Sequence, residues 1–195
     1  FSPGPNTWET LGEFTGAAGA TPGEMPAGGL LAGPDGTIYG TTLPGVPEAY
    51  AQRIAEKLDY VGVFALELFL HQGRLLANEM APRVHNSGHW TIEGSETSQF
   101  QNHLRAVLGM PLGDTRSIGI SCMLNWIGAM PESGPVLNAA GGHWHDYGKA
   151  PREGRKVGHA TLRADTALEL AEALMRVGST LQREAQVAPV ITRLR

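Results

Sequence analysis

VGVFALELFL (residues 61–70), HQGR (71–74) and RLLANEM (74–80) decide the fold of this chain. The first run is too apolar, and too β-branched at its start, for a strand with one wet face; it reads as a buried strand. HQGR supplies a turn and RLLANEM a strand running back, so the two strands form a hairpin. Side chains alternate between faces with a period of two, and register therefore decides which residues meet. A two-residue Gln72-Gly73 loop puts Glu67 opposite Asn78, whereas a three-residue loop over Gln72 to Arg74 puts Glu67 opposite Glu79. Only the second register makes the two glutamates direct cross-strand neighbours.

Upstream of the hairpin, Pro47 sits at a favourable first helical position, and Ala51, Ile54, Ala55 and Leu58 recur at helical spacing, which predicts a helix over about 47–58. Residues 1 to 44 hold stretches such as SPGPN and GAAGATPGEMPAGG and read as a loop-rich, partly disordered segment, with one short strand in GTIYGTT (36–42). Downstream, Ala81 to Gly94 reads as an irregular polar loop. Thr97 or Ser95 can then cap a helix to about Leu108, with Phe100, Leu104, Val107 and Leu108 on one face. SIGISCMLNWIG (117–128) is a strand. A Pro/Gly-rich connection over 129–142 precedes a small terminal unit with a strand near 143–147, a basic loop from Lys149 to Lys156, a strand VGHATLRA and a helix over about 166–177. The remaining tail extends that helix or frays. The expected organisation is a segment 1–44, a unit 45–128 and a terminal unit 129–195, of α/β (α+β) class with an antiparallel sheet and flanking helices.

The whole chain has 195 residues, 42% of them hydrophobic, enough for one ordinary domain or two small ones. Its formal charge of -4 gives no basic field to attract nucleic acid or an anionic membrane, so any anion site must be local. The single Cys122 excludes an internal disulfide framework and fits a reducing, cytoplasmic compartment. No apolar run reaches the roughly 18 to 20 residues that span a bilayer, and the amino end shows no export signal. A first residue Phe1 rather than Met points to a processed, trimmed or incomplete chain.

Three constellations carry chemistry. Glu67, Asn78 and Glu79 lie in otherwise apolar strands, and buried carboxylates require a cationic partner. A divalent metal meets that need, magnesium in particular, because it prefers hard oxygen ligands and phosphate oxygens. The competing arrangement has Glu67 facing solvent or paired with Arg74 or Arg83. The loop APRVHNSGHW (81–90) gathers Arg83, His85, Asn86, Ser87 and His89, donors suited to anionic oxygens, with Gly88 allowing close backbone approach. The bland alternative is a polar loop that satisfies its own backbone. Arg83 follows Glu79 by four residues and can pair with that carboxylate or with a substrate anion. Finally Lys149, Arg152, Arg155 and Lys156 form a cationic run in an acidic chain, either a local site for a phosphate monoester or a solvated turn. His143 and His145 share a strand face, but the sequence offers them no third metal ligand.

The blocks YVGVFALELF, NEMAPRVHNSGHWTIEGSETSQFQNHLRAVLGMPLG and HDYGKAPREGRKVGHATL, in that order between about residues 48 and 178, resemble the N5-carboxyaminoimidazole ribonucleotide synthetases, ATP-grasp enzymes of de novo purine biosynthesis. The resemblance implies the carboxyl-terminal part of a ligase in which ATP activates bicarbonate as carboxyphosphate and the amine of 5-aminoimidazole ribonucleotide captures the carboxyl group. It implies ATP and Mg2+ as cofactors, Glu67 and Glu79 as metal ligands, and Asn78 and Glu79 as ATP contacts. It further implies Arg83 and His85 as catalytic groups around bicarbonate and the amine, Lys149 and Arg155 as holders of the ribonucleotide phosphate, and a homodimer. Residues 1 to 44 fall outside the resemblance, and the family's glycine-rich and lysine-bearing segments over the ATP phosphates have no match. The alternative expectation is a non-catalytic nucleotide-binding or interaction module derived from such a ligase.

Overall fold

A computed structural model of the chain describes residues 30–32, 38–40, 46–71 and 74–194. The Gly/Pro-rich segment expected over 1–44, apart from those short pieces, and the Gln72-Gly73 turn lie outside the described residues. The described residues fall into two compact units, one running to Ile92 and including Glu96–Arg116, the other made of Glu93–Ser95 and the chain from Ser117 onward.

The first unit is a four-stranded antiparallel sheet with helices packed on it. Strands β1 (Leu30–Ala32), β2 (Ile38–Gly40), β3 (Gly62–His71) and β4 (Arg74–Ala81) lie in the order β2-β1-β3-β4. Helix α1 (Val46–Leu58) follows the predicted span, with Pro47 in its first turn. Its apolar stripe buries Ala51 and Ala55 against Phe64 and Leu66 of β3, with Ile54 and Tyr60 packed alongside. Val63 and Ala65 are buried as well, so β3 is apolar on both faces over this stretch, as its unbroken apolar run implies.

After a one-turn helix α2 (Thr91–Gly94), helix α3 (Gln99–Val107) packs on β3, but neither its cap nor its buried face is the expected one. Ser98 caps it, its hydroxyl accepting from Gln101 N, while Thr97 and Ser95 are buried elsewhere. The helix buries Asn102 and Ala106, and Leu104, Val107 and Leu108 are exposed. The reason is polar: the Asn102 amide accepts from Gly113 N at 2.8 Å and donates to Gly113 O at 3.2 Å, turning that side of the helix inward.

The second unit is a three-stranded antiparallel sheet in the order β5-β7-β6, built from β5 (Ile120–Gly128), β6 (Gly142–Asp146) and β7 (Arg152–Ala164). Because β5 pairs along β7 from Ile120↔Ala164 to Gly128↔Arg152, this unit begins near Ser117 and not at the expected residue 129. A one-turn helix α4 (Gly134–Leu137) lies in the connection before β6. Helix α5 (Ala167–Thr180) starts at a capping box between Thr166 and Glu169 and buries Leu170, Ala171, Leu174 and Val177. The tail neither extends α5 nor frays. Gln182 takes a left-handed conformation, φ 55°, and α6 (Glu184–Leu194) follows as a separate helix burying Val187 and Val190. No helix of the described residues is long and apolar enough to cross a membrane.

Candidate functional site

The outer half of the β3–β4 hairpin pairs His71↔Arg74 and Leu68↔Ala77, the register of a two-residue turn. Continued unchanged, it would set Glu67 opposite Asn78. A β-bulge intervenes between Glu67 and Leu68, and Glu67 pairs with Glu79. Asn78 is the extra residue of the bulge, and its Nδ2 donates to Glu67 Oε2 at 3.0 Å. Bulges bend a strand and re-aim its side chains. Here the bulge brings both Asn78 and Glu79 to Glu67, two meetings that a regular ladder would make mutually exclusive.

The loop after β4 closes the group. Arg83 N donates to Ala81 O as the chain leaves the sheet, and a single 3-10 turn at Asn86–Gly88 follows, capped by the imidazole of His85. His85 Nε2 lies 3.1 Å from Glu79 Oε1 and 3.5 Å from Glu67 Oε1. Its Nδ1 is 2.9 Å from Ser87 Oγ and 3.3 Å from Ser87 N. Both Ser87 contacts suit an acceptor at Nδ1, which leaves the ring proton on Nε2, facing the carboxylates. The His85 and Glu67 side chains are 8% and 15% exposed and Glu79 is 52% exposed, so the group is closed on one side and open on the other.

One ligand atom from each of Glu67, Glu79 and His85 falls within 4.8 Å of the others, the group of potential metal ligands found among the described residues. Two carboxylate oxygens converging beside a neutral amide suit a hard divalent cation, and magnesium fits this donor set better than a thiophilic metal does.

Arg83 departs from expectation. Its guanidinium donates to Val84 O at 3.1 Å, is exposed, and among the described residues pairs with no carboxylate; His85 holds the position beside Glu79 instead.

The expected phosphate cations belong to the second unit. The basic loop is shorter than expected, since β7 begins at Arg152. Between the pairs Gly128↔Arg152 and Ile127↔Lys156, residues Glu153, Gly154 and Arg155 have no partner on β5, and Arg155 stands on that excursion with Nη1 3.4 Å from Ala150 O. Lys149 is exposed, its Nζ 5.2 Å from the centroid of the Tyr147 ring. Tyr147 in turn bonds His159 Nδ1 at 2.8 Å, and His159 stacks on His145 with centroids 4.3 Å apart. His145 Nε2 is 2.6 Å from Glu93 Oε1, so this histidine is engaged with a carboxylate and not with a His143 metal site.

Sequence reasoning missed Gln99 and Glu93. Glu93 carried no signal beyond lying in the polar stretch. Gln99 had one: it directly follows Ser98, where the first helical backbone and side-chain groups look for partners outside the helix.

Residues 46–100 match the ATP-grasp domain, and residues 121–173 match the phosphoribosylaminoimidazole carboxylase C-terminal domain. The chain is 60% identical over 129 residues to the N5-carboxyaminoimidazole ribonucleotide synthase of Pseudomonas aeruginosa, a match covering 66% of this chain and 36% of that protein. The crystal structure of the N5-carboxyaminoimidazole ribonucleotide synthetase from Thermus thermophilus superposes with a TM-score of 0.69 at 50% identity, over 79% of this chain and 50% of that one. The Aspergillus clavatus synthase, solved in complex with ADP and 5-aminoimidazole ribonucleotide, gives a TM-score of 0.63 at 27% identity, over 82% of this chain and 51% of that one. The fold and the carboxylate hairpin thus define an ATP-grasp segment joined to a carboxyl-terminal α/β unit. The chain belongs to the N5-carboxyaminoimidazole ribonucleotide synthase family, of which it represents the carboxyl-terminal part. It spans between about a third and half of the length of these relatives.

Proposed function

We propose that this chain serves an ATP-dependent ligase that carboxylates 5-aminoimidazole ribonucleotide with bicarbonate, its first unit contributing metal-nucleotide ligands and its second unit ribonucleotide-phosphate ligands. The observation that carries the reading is the convergence of Glu67, Glu79 and His85 at the mouth of the bulged hairpin. Its further support is the family to which the chain belongs.

In this reading Glu67 and Glu79 hold Mg2+, and Asn78 keeps the Glu67 carboxylate turned toward its partner. The ion, when bound, supplies positive charge to the ATP phosphate oxygens. A bicarbonate oxygen attacks the terminal phosphorus of ATP and ADP departs. The ribonucleotide's exocyclic amine then attacks the carboxyl carbon, phosphate leaves, and the nitrogen sheds a proton. Arg83, exposed and among the described residues committed to no carboxylate, is the group for the bicarbonate and carboxyphosphate charge. His85 is the group that orders the carboxylates for this chemistry, its Nε2–H directed at Glu79, and the proton shed by the nitrogen goes to the departing phosphate. Lys149 and Arg155 hold the 5′-phosphate of the ribonucleotide, a dianion that an acidic chain binds only through such local cations. The same reading carries a cytoplasmic home, in keeping with the buried free thiol of Cys122, and the homodimer that the resemblance implies.

The test is phosphate release by the purified chain with MgATP, bicarbonate and ribonucleotide. Release that needs both nucleotides and falls at least a hundredfold in Glu79→Gln is the expected outcome. Ribonucleotide binding without any turnover would assign the chain the narrower role of a binding module.

A further inference from the structure

We infer that Gln99 is a positioning residue for the site: its side-chain amide fixes the backbone of His85 and the tautomer of His89. The inference rests on the proposed role of His85 beside Glu67 and Glu79, but its geometry stands independently of any ligand.

The amide meets His85 as a neighbouring strand would. Gln99 Oε1 accepts from His85 N at 3.0 Å and Gln99 Nε2 donates to His85 O at 2.7 Å, across fourteen residues of sequence. The second N–H of the same amide reaches His89 Nδ1 at 2.7 Å. Both hydrogens and one oxygen lone pair are thereby used, on three atoms of two histidines. The amide orientation follows from this pattern, because the flipped amide would set an NH2 against the His85 N–H and an oxygen against the His85 carbonyl.

Two consequences follow for the histidines. His89 Nδ1 accepts, so its proton sits on Nε2; the ring packs tilted against Phe100, centroids 5.2 Å apart and planes at 34°. His85 has both main-chain polar groups tied down, so its ring leaves the backbone from a fixed point toward the carboxylates. Gln99 is itself anchored as the first residue of α3, where its N donates to Thr91 Oγ1 at 3.0 Å, and the Thr91 hydroxyl donates on to Gly88 O. Gly88 completes the clamp. A Cβ there would stand 2.7 Å from Gln99 Oε1 and 2.8 Å from Cδ, and the amide, bound on three sides, has no room to yield. His85 Nε2 in turn meets Glu79 Oε1 at 3.1 Å, so loosening His85 loosens a proposed metal ligand, and partners that orient such ligands from outside the coordination sphere are worth roughly 10–100-fold in affinity when removed.

The experiment uses Gln99→Met, which keeps length and loses every hydrogen bond, Gln99→Glu, which keeps the acceptor and loses both donors, and Gly88→Ala, which leaves Gln99 in place and crowds it. Mn2+ affinity is measured by paramagnetic resonance, and the tautomers of His85 and His89 by long-range nitrogen–proton NMR of the rings. The expected result is a Mn2+ affinity about tenfold weaker in all three variants. His89 should pass from a single Nε2–H form to an exchanging mixture in Gln99→Met and Gln99→Glu. Unchanged ring signals and unchanged Mn2+ affinity in folded Gln99→Met and Gly88→Ala would overturn the inference. Should the parent chain bind no Mn2+, the metal reading of the site fails, and the ring signals alone decide the role of Gln99.

Discussion

Glu67 is the residue whose surroundings define the site. Its carboxylate is largely buried, bonded to Asn78 and facing His85. A buried carboxylate with one amide and one imidazole as partners is well placed to accept a cation. Glu67→Gln keeps the shape and the Asn78 neighbour while removing the charge, and calorimetry should show Mn2+ affinity at least tenfold weaker with the fold intact. Affinity within twofold of the parent would remove Glu67 from the metal site. Cys122 poses the opposite case, a titratable group that burial keeps neutral. Burial pushes its thiol up to about 12 from an ordinary 9.0. The unfolded chain ionises first as pH rises, so this contribution to stability is whole below pH 9 and declines between 9 and 12. Urea midpoints should therefore fall above pH 9, less steeply in Cys122→Ala, and the native thiol should resist alkylation at pH 8. At this scale the sequence revealed Glu67, Glu79 and His85, because charged residues in an apolar hairpin and its exit loop are conspicuous. It did not reveal that His85, and not Arg83, stands against Glu79, since the 3-10 turn that aims the imidazole depends on the Ser87 and Gln99 contacts.

At the scale of elements, periodicity located the helices and strands, and local polar chemistry decided their ends and faces. Alternation alone could not yield the β3–β4 register. Two loop lengths gave two registers, and the molecule uses one on each side of a bulge that no alternation signals. Helix α3 was misread for a related reason. Its leucines suggested a buried stripe, but Asn102 binds both backbone groups of Gly113 and takes the inward position. Where cap chemistry was explicit the reading was closer. The expected helix start at 166 is a full capping box, with the Thr166 hydroxyl accepting from Glu169 N at 3.3 Å and Glu169 Oε2 accepting from Thr166 N at 3.1 Å. Thr166→Val removes the first of these bonds and should destabilise the chain by about 1 kcal/mol. Thermal or denaturant unfolding checks this, and a loss below about 0.3 kcal/mol would mean that α5 is held by the packing of Leu170 and Leu174 without help from its cap.

For the molecule as a whole, the decisive quantity is charge set against place. A chain of formal charge -4 repels a ribonucleotide phosphate at long range, so binding must come from cations close to the anion. The sequence disclosed that run of cations but not its support, because the excursion of β7 at Glu153–Arg155 and the Tyr147 ring beneath Lys149 arise from strand pairing across distant segments. It also set the second unit's start too late, since nothing local to residues 117–128 tells that they pair with β7. If Lys149 and Arg155 hold the phosphate, affinity for 5-aminoimidazole ribonucleotide should weaken as salt is raised and fall at least tenfold in each single alanine variant. The double variant should lose most of the salt dependence, because the cations that salt screens are then gone. Calorimetric titrations at about 50 and 300 mM salt, a range over which screening changes appreciably, make the distinction. A double variant that binds as tightly as the parent, with the same salt slope, would return Lys149–Lys156 to the solvated turn that its composition equally allowed.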